Sequence, residues 1–274
     1  MEFAAPTPAP VFVRKFRLRQ IALPTEHGAW GFLLEPLVGG MAVAYSSVAP
    51  FMALMVIGAF LARRPIQIVG THLLARRWLP QTEAALKFSV FFSLFVLLGV
   101  AGSLAFAEKS SLIPFMLVLP LAAGQLYFDV SRQSRELLPE VIGAVAMSSS
   151  AAAITLSGGL QWQHAVAIWF FFIARLIPSI LYVRNRLRLE KGKSHSIFVP
   201  MISHGVGFAG VLALAIGGFL PLLTIPMFLL LFTRSSIGLS RHRTKMKAMK
   251  IGVWEVIYGS LTVLSLIIGH HANL

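Results

Sequence analysis

The sequence predicts an all-α, polytopic transmembrane bundle, and three observations carry that expectation. The chain is 57% hydrophobic and only 12% charged. Its apolar runs recur at the length needed to cross a hydrocarbon layer of about 30 Å at about 1.5 Å per helical residue. And 22 of its 24 Lys and Arg residues fall in the N-terminal tail or in alternate gaps between those runs. Such segregation is the signature of positive charge retained on one side, which predicts a cytoplasmic N-terminus and, with an odd number of spans, a C-terminus outside.

The apolar runs lie near 29–48, 49–70, 86–106, 111–129, 138–158, 163–183, 198–218, 219–237 and 249–269, about nine spans in all. Residues 1–24 read as a cytoplasmic tail that opens with the Pro-rich AAPTPAP, 25–270 as a single transmembrane domain and 271–274 as an external tail. The tail bears Arg14, Lys15, Arg17 and Arg19, and the gap after the second span bears Arg63, Arg64, Arg76, Arg77 and Lys87. Arg132 and Arg135 follow the fourth span; Arg184, Arg186, Arg188, Lys191 and Lys193 follow the sixth. The eighth is followed by six more bases, centred on SRHRTKMKAMK. Because lipid offers no hydrogen bonds to an open backbone, segments of this length form helices and not a barrel.

Composition excludes several classes. A net charge of +14 would suggest nucleic acid in a soluble protein, but here orientation and anionic headgroups account for it, and no nucleic-acid partner is expected. The absence of cysteine rules out disulfides, thiolate metal sites and cysteine nucleophiles. The first 20 residues lack the apolar core of a secretory signal. The expected location is the inner, cytoplasmic membrane, with membrane lipids as the immediate partners.

Ionisable residues inside the spans cost a few kcal/mol each unless paired or hydrated, so they mark candidate sites. Arg175 lies nine residues before Arg184, about 13 Å into its span, and needs a carboxylate. Glu35 and Glu255 reach similar depth, and Glu140 lies nearer the mouth of the fifth span. PTEHGAWGFLLEP opens the first span with Glu26 and His27 in its first turn and Glu35 beyond them, which nominates those three for acid–base chemistry. They lack the spacing of a known metal site, so no metal ligands are assigned. On the second span Arg63 and Gln67 are spaced i,i+4, and Arg64 shares a face with Gln67. In YFDVSRQSRELLPEV, Asp129, Arg132, Glu136 and Glu140 are spaced as self-paired charges at a helix end. ARLIPSILYVRNRLRLEKGKSHS places Arg175, Tyr182 and Arg186 on one face, with Arg184 and Arg188 on another. Guanidinium groups so arranged suit phosphate or carboxylate, to which each can donate a bidentate pair of hydrogen bonds. His72 and His204 supply further proton carriers near the same side. The bland alternatives are interfacial anchoring, capping, self-paired helix-end charges and topology-setting positive charge, and for Arg175 a buried ion pair that fixes helix register.

The number of spans and the basic stretches RRWLPQTEAALKF and SRQSRELLPEVIGAVAMSSSAAA resemble the UbiA superfamily of intramembrane prenyltransferases. More specifically, PTEHGAWGFLLEP with LARRPIQ resembles the YwiC-like family of bacterial membrane proteins. The superfamily resemblance implies a UbiA-like helical arrangement with functional loops after spans two and six. It also implies Asp-rich motifs there that hold Mg²⁺ against a diphosphate. The corresponding stretches here, RRPIQIVGTH and YVRNRLRLEKGK, contain no aspartate.

Three readings remain open. One is a UbiA-like transferase or lipid-modifying enzyme acting on an anionic isoprenoid or phospholipid-type substrate. Arg63, Arg64, Gln67, Arg175, Tyr182, Arg184, Arg186 and Arg188 would bind it, without the usual Asp–Mg chemistry. The second is a small-anion or proton-coupled transporter centred on Arg175, and the third a non-catalytic assembly partner of a membrane complex. The residues name no cofactor.

Overall fold

In the computed structural model of the chain, residues 18–24, 28–133 and 136–274 are described. They form α1 (Leu18–Ala22), α2 (Ala29–Val43), α3 (Ala49–Leu74), α4 (Pro80–Phe106) and, after a 3-10 turn at Lys109–Leu112, α5 (Ile113–Val130). The second half comprises α6 (Leu137–Ser157), α7 (Trp162–Glu190), α8 (Phe198–Ile216), α9 (Thr224–Leu239) and α10 (Ala248–Ala272). No strand occurs among the described residues. The all-helical membrane bundle expected from the apolar runs is what the chain forms. Each run coincides with one helix of α2 to α10, but the helices differ in reach. Among the described residues seven, counting the turn with α5, are long and apolar enough to cross a membrane. α2 with 15 residues and α9 with 16 are shorter, because the chain turns at Ala44 and at Ser240. AAPTPAP, Glu26 and His27 lie outside the described residues. α1 falls within the stretch read as a tail and packs on α3 and α4 through Ile21 and Ala22.

The helices run alternately up and down, so the ends of α3, α5, α7 and α9 share one end of the bundle with the starts of α4, α6, α8 and α10. Contacts across that basic end include Arg63 to Asp129 and Arg184 to Glu140. At the opposite end Ser46 meets Ser157 and Leu223 meets Leu274.

Lipid tails are as apolar as the side chains, so helices in a bilayer associate through close packing of small residues more than through expulsion of water. α6 shows this most clearly. Its run Ser148–Ser149–Ser150–Ala151–Ala152–Ala153 is wholly buried against α2, α3, α5 and α7. Each serine hydroxyl donates to a carbonyl three residues back, at 2.7–2.9 Å, so no polar group is stranded. Phe171 and Phe172 of α7 fill the adjoining core with Val211, Phe228 and Leu266. α3 and α4 form the tightest pair, where Gly99 faces the α3 backbone. A Cβ at that position would lie 2.6 Å from the Phe51 carbonyl oxygen.

The Gly99 contact leads to a stability prediction. Gly99→Val forces α3 and α4 apart and costs roughly 1–3 kcal/mol, the usual range for overpacking. Thermal unfolding in detergent is expected to show this as a lower midpoint, with Gly124→Ala unchanged because nothing lies within 4 Å of a Cβ there.

Candidate functional site

Two polar regions lie within the apolar bundle. The first is built by α3, α5 and the start of α4. Arg63, about three turns before the end of α3, meets Asp129 near the end of α5. Nε approaches Oδ2 at 2.5 Å and Nη2 approaches Oδ1 at 2.8 Å, a two-pronged pair with a carboxylate only 1% exposed. Gln125, four residues earlier on α5, donates to Asp129 Oδ1 at 3.2 Å. The Gln67 amide donates to the Asp129 carbonyl at 3.0 Å and accepts from Arg64 Nη1 at 2.6 Å. His72 is held by the Thr82 hydroxyl at 2.6 Å. Next to this network a cavity of about 350 Å³ opens, lined by Arg64, Gln67, Thr71, His72 and Arg132, with Gln20 and Gln81 at its edge. Arg64 Nε is buried there with no hydrogen-bond partner.

The second region joins α2, α7, α8, α9 and α10. Arg175, 2% exposed, lies 3.6 Å from both Glu35 of α2 and Glu255 of α10. It also donates to the Ser179 hydroxyl and to the Glu255 carbonyl, the latter at 3.1 Å. Gly259 makes room for this meeting, since a Cβ there would collide with the Glu35 carboxylate. Glu255 is shared. Its Oε1 accepts from Arg234 of α9 at 2.5 Å, and the Arg234 guanidinium lies over the Tyr182 and Tyr258 rings at 4.3 and 4.7 Å. His204 of α8 meets the edge of Tyr182. One turn beyond Tyr182 toward the basic end, Arg186 is completely buried. It pairs with Glu190 at 2.8 Å and donates to the Thr244 carbonyl at 2.5 Å, which pins the segment between α9 and α10 over it. Arg243 from that segment approaches Glu190 at 3.6 Å.

The structure thus divides the residues nominated from sequence. Arg64 and Gln67 line the cavity, and Arg63 turns to Asp129 beside it. Glu35, Arg175, Tyr182 and Arg186 belong to the second region. Arg184 pairs with Glu140 at 2.9 Å, and Arg188 donates to the Ser194 carbonyl at 2.7 Å on an exposed face. The expected self-pairing along Asp129, Arg132, Glu136 and Glu140 does not form, because α5 ends at Val130 and Arg132 takes a left-handed φ of 61° that turns the chain away. Asp129 and Glu140 pair instead with Arg63 and Arg184. Arg234, Glu190, Gln125 and Tyr258 escaped the sequence reading. Arg234 reads as one of the bases after the eighth span, although the helix that begins with TIPMFLLLF continues for five residues beyond it, to Leu239.

The arrangement defines a class. The chain superposes on the solved structure of digeranylgeranylglyceryl phosphate synthase in membranes with a TM-score of 0.62, over 89% of this chain and 99% of that one, at 12% identity. The bundle therefore has the UbiA-like fold of intramembrane prenyltransferases, and at that identity the likeness is one of fold. The YwiC-like protein family matches residues 23–155, from the segment before α2 almost to the end of α6. No curated protein matches the chain.

Magnesium bound through carboxylates, which that fold implies, does not fit the donors present. At the end of α3 the groups facing the cavity are a guanidinium, an amide, a hydroxyl and an imidazole, and both oxygens of Asp129 are held by Arg63. Among the described residues no three His, Asp or Glu side chains converge.

Breaking the Arg63–Asp129 pair from one side leaves a buried charge. Arg63→Ala is expected to destabilise the protein by about 3–5 kcal/mol. Asp129→Asn in the same chain should restore part of the loss, and a double-mutant cycle by thermal unfolding should give a coupling of about 2 kcal/mol.

Proposed function

We propose that this protein is a membrane-embedded transferase or lipid-modifying enzyme that takes a phosphate-headed isoprenoid or phospholipid-type substrate at its basic end, with arginine in place of Asp-bound magnesium. The observation that carries the reading is the α3–α5 cavity, whose lining offers two guanidinium groups and no carboxylate, on the span after which the superfamily resemblance implies an Asp-rich motif.

Arg64 and Arg132 supply two positive charges, matched to a phosphate or diphosphate head. Arg64 is oriented by Gln67, itself fixed on the Asp129 carbonyl, and its buried Nε is left to donate to a ligand oxygen. Such pre-positioning reduces the entropy lost on binding. Arg63 works indirectly. By neutralising Asp129 it removes a carboxylate that would repel an anion at the cavity wall. His72, held by Thr82, is placed to exchange a proton with a bound head group. The apolar tail of such a substrate would remain among the helices, in surroundings like the bilayer. A cytoplasmic N-terminus in the inner membrane would open this cavity to the cytosol, where phosphorylated precursors are soluble.

Purification in mild detergent followed by native mass spectrometry tests the reading. The wild type is expected to retain a prenyl diphosphate or acidic phospholipid, and Arg64→Ala and Arg132→Gln to lose it by about tenfold or more, the effect of one charge-assisted hydrogen bond. Equal amounts of bulk phospholipid on all three proteins would reject the reading and leave a role in transport or assembly.

A further inference from the structure

The cavity does not use the second polar region, and that region is larger than a helix-locking ion pair requires. From Arg175 the chain of contacts runs through Glu255 to Arg234, then Tyr182, and one turn on to Arg186, Glu190 and Arg243. Four arginines face three carboxylates, Glu35, Glu190 and Glu255, leaving one positive charge in excess among the described residues of the column. Their hydrogen bonding is also incomplete. Six guanidinium nitrogens are buried without a hydrogen-bond partner: Nε of Arg175, Arg186, Arg234 and Arg243, Nη1 of Arg186 and Nη2 of Arg234. On the acceptor side Glu35 Oε2, Glu190 Oε1, Glu255 Oε2 and His204 Nε2 likewise lack a hydrogen bond, with Arg243 Nε facing Glu190 Oε1 and Arg175 Nη1 facing Glu255 Oε2 only at 3.6 Å.

A buried donor left without an acceptor has lost its hydration with nothing in return, at a greater cost when charged. A network built only to fix helix positions would satisfy its guanidinium groups on its own carboxylates. Here the excess is in donors, with a few acceptors interspersed. One chemical type meets both demands, an oxyanion that still carries a hydroxyl, whose bare oxygens accept from arginine while its O–H donates to a glutamate or histidine. A single negative charge also cancels the column's excess. Dihydrogen phosphate and the singly protonated head of a phosphomonoester both have this form.

We infer that the α7–α10 column is a second binding site, separate from the α3–α5 cavity, for a protonated phosphate group admitted from the basic end beneath the segment 240–247. That segment is held down by Arg186 and Arg243 through Thr244 and Glu190. These are contacts a phosphate would exchange for its own, so the ligand and the roof are coupled.

Calorimetric titration of the purified full chain with inorganic phosphate, at constant chloride and mildly acidic pH, tests this. Wild type is expected to show two classes of site; Arg64→Ala loses only the one at the α3–α5 cavity and keeps the other, whereas Arg234→Gln with Glu255→Gln, which removes both members of one pair and keeps the charge balance, weakens that other class about tenfold or more. Phosphate should also slow tryptic cleavage within 240–247 in wild type. Arg243→Gln, a change at a partly exposed position, should weaken binding even if the double variant does not fold. In a parallel arm, micelles of short-chain phosphatidate that displace phosphate identify a lipid head as the occupant, and failure to displace it identifies the free anion; both support the site. Absence of binding by wild type overturns the inference. So does phosphate affinity that Arg243→Gln leaves unchanged, or that Arg64→Ala abolishes while the double variant retains it.

Discussion

A guanidinium in an apolar bundle is the constraint from which much of this structure follows. Transferring the charge of Arg175 from water costs several kcal/mol unless partners meet it at the same depth. The partners come from the two distant ends of the chain, Glu35 on α2 and Glu255 on α10. Their meeting closes the bundle by bringing α2 and α10 together against α7. Gly259 is the geometric counterpart, since only a residue without a side chain lets the Glu35 carboxylate pass α10. Electrostatics thus sets which helices are neighbours, and the small residues of α6 and α4 set how closely they approach.

The same logic explains how a prenyltransferase-like bundle accommodates arginine-rich ends. Charge at the end of α3 is handled by two adjacent residues with different tasks. Arg63 is spent on Asp129 inside the protein, and Arg64 faces the cavity. On α7 the succession alternates similarly: Arg184 turns outward to Glu140, Arg186 inward to Glu190, and Arg188 outward to the Ser194 backbone. Residues two apart on a helix point about 200° from one another, so a run of alternate arginines cannot form one continuous anion-binding face.

That is also the measure of what could be read in advance. Helix positions were legible because apolar length is a one-dimensional property, and the depths of Glu35 and Glu255 follow from counting residues, so the partners of Arg175 were within reach. Pairings across helices were not. The spacing of Asp129 and Arg132 suggested a local pair, but α5 ends at Val130, the left-handed Arg132 turns the chain away, and Asp129 pairs with Arg63, 66 positions earlier. Arg234 lay at the edge of a basic run and carried no sign that α9 would continue past it into contact with two tyrosine rings. The cavity depends on four separate segments converging, which no local pattern encodes.

The short helices α2 and α9 have a consequence for the surrounding bilayer. At 1.5 Å per residue they span only about 23 Å, against roughly 30 Å of hydrocarbon. Both pack on α10, and they carry Glu35 and Arg234. Lipid meeting so low an apolar wall must thin or tilt to cover it, at a fraction of a kcal/mol per ångström. On this flank the water boundary therefore dips toward the buried charges, and membrane thickness becomes a variable to which their hydration responds.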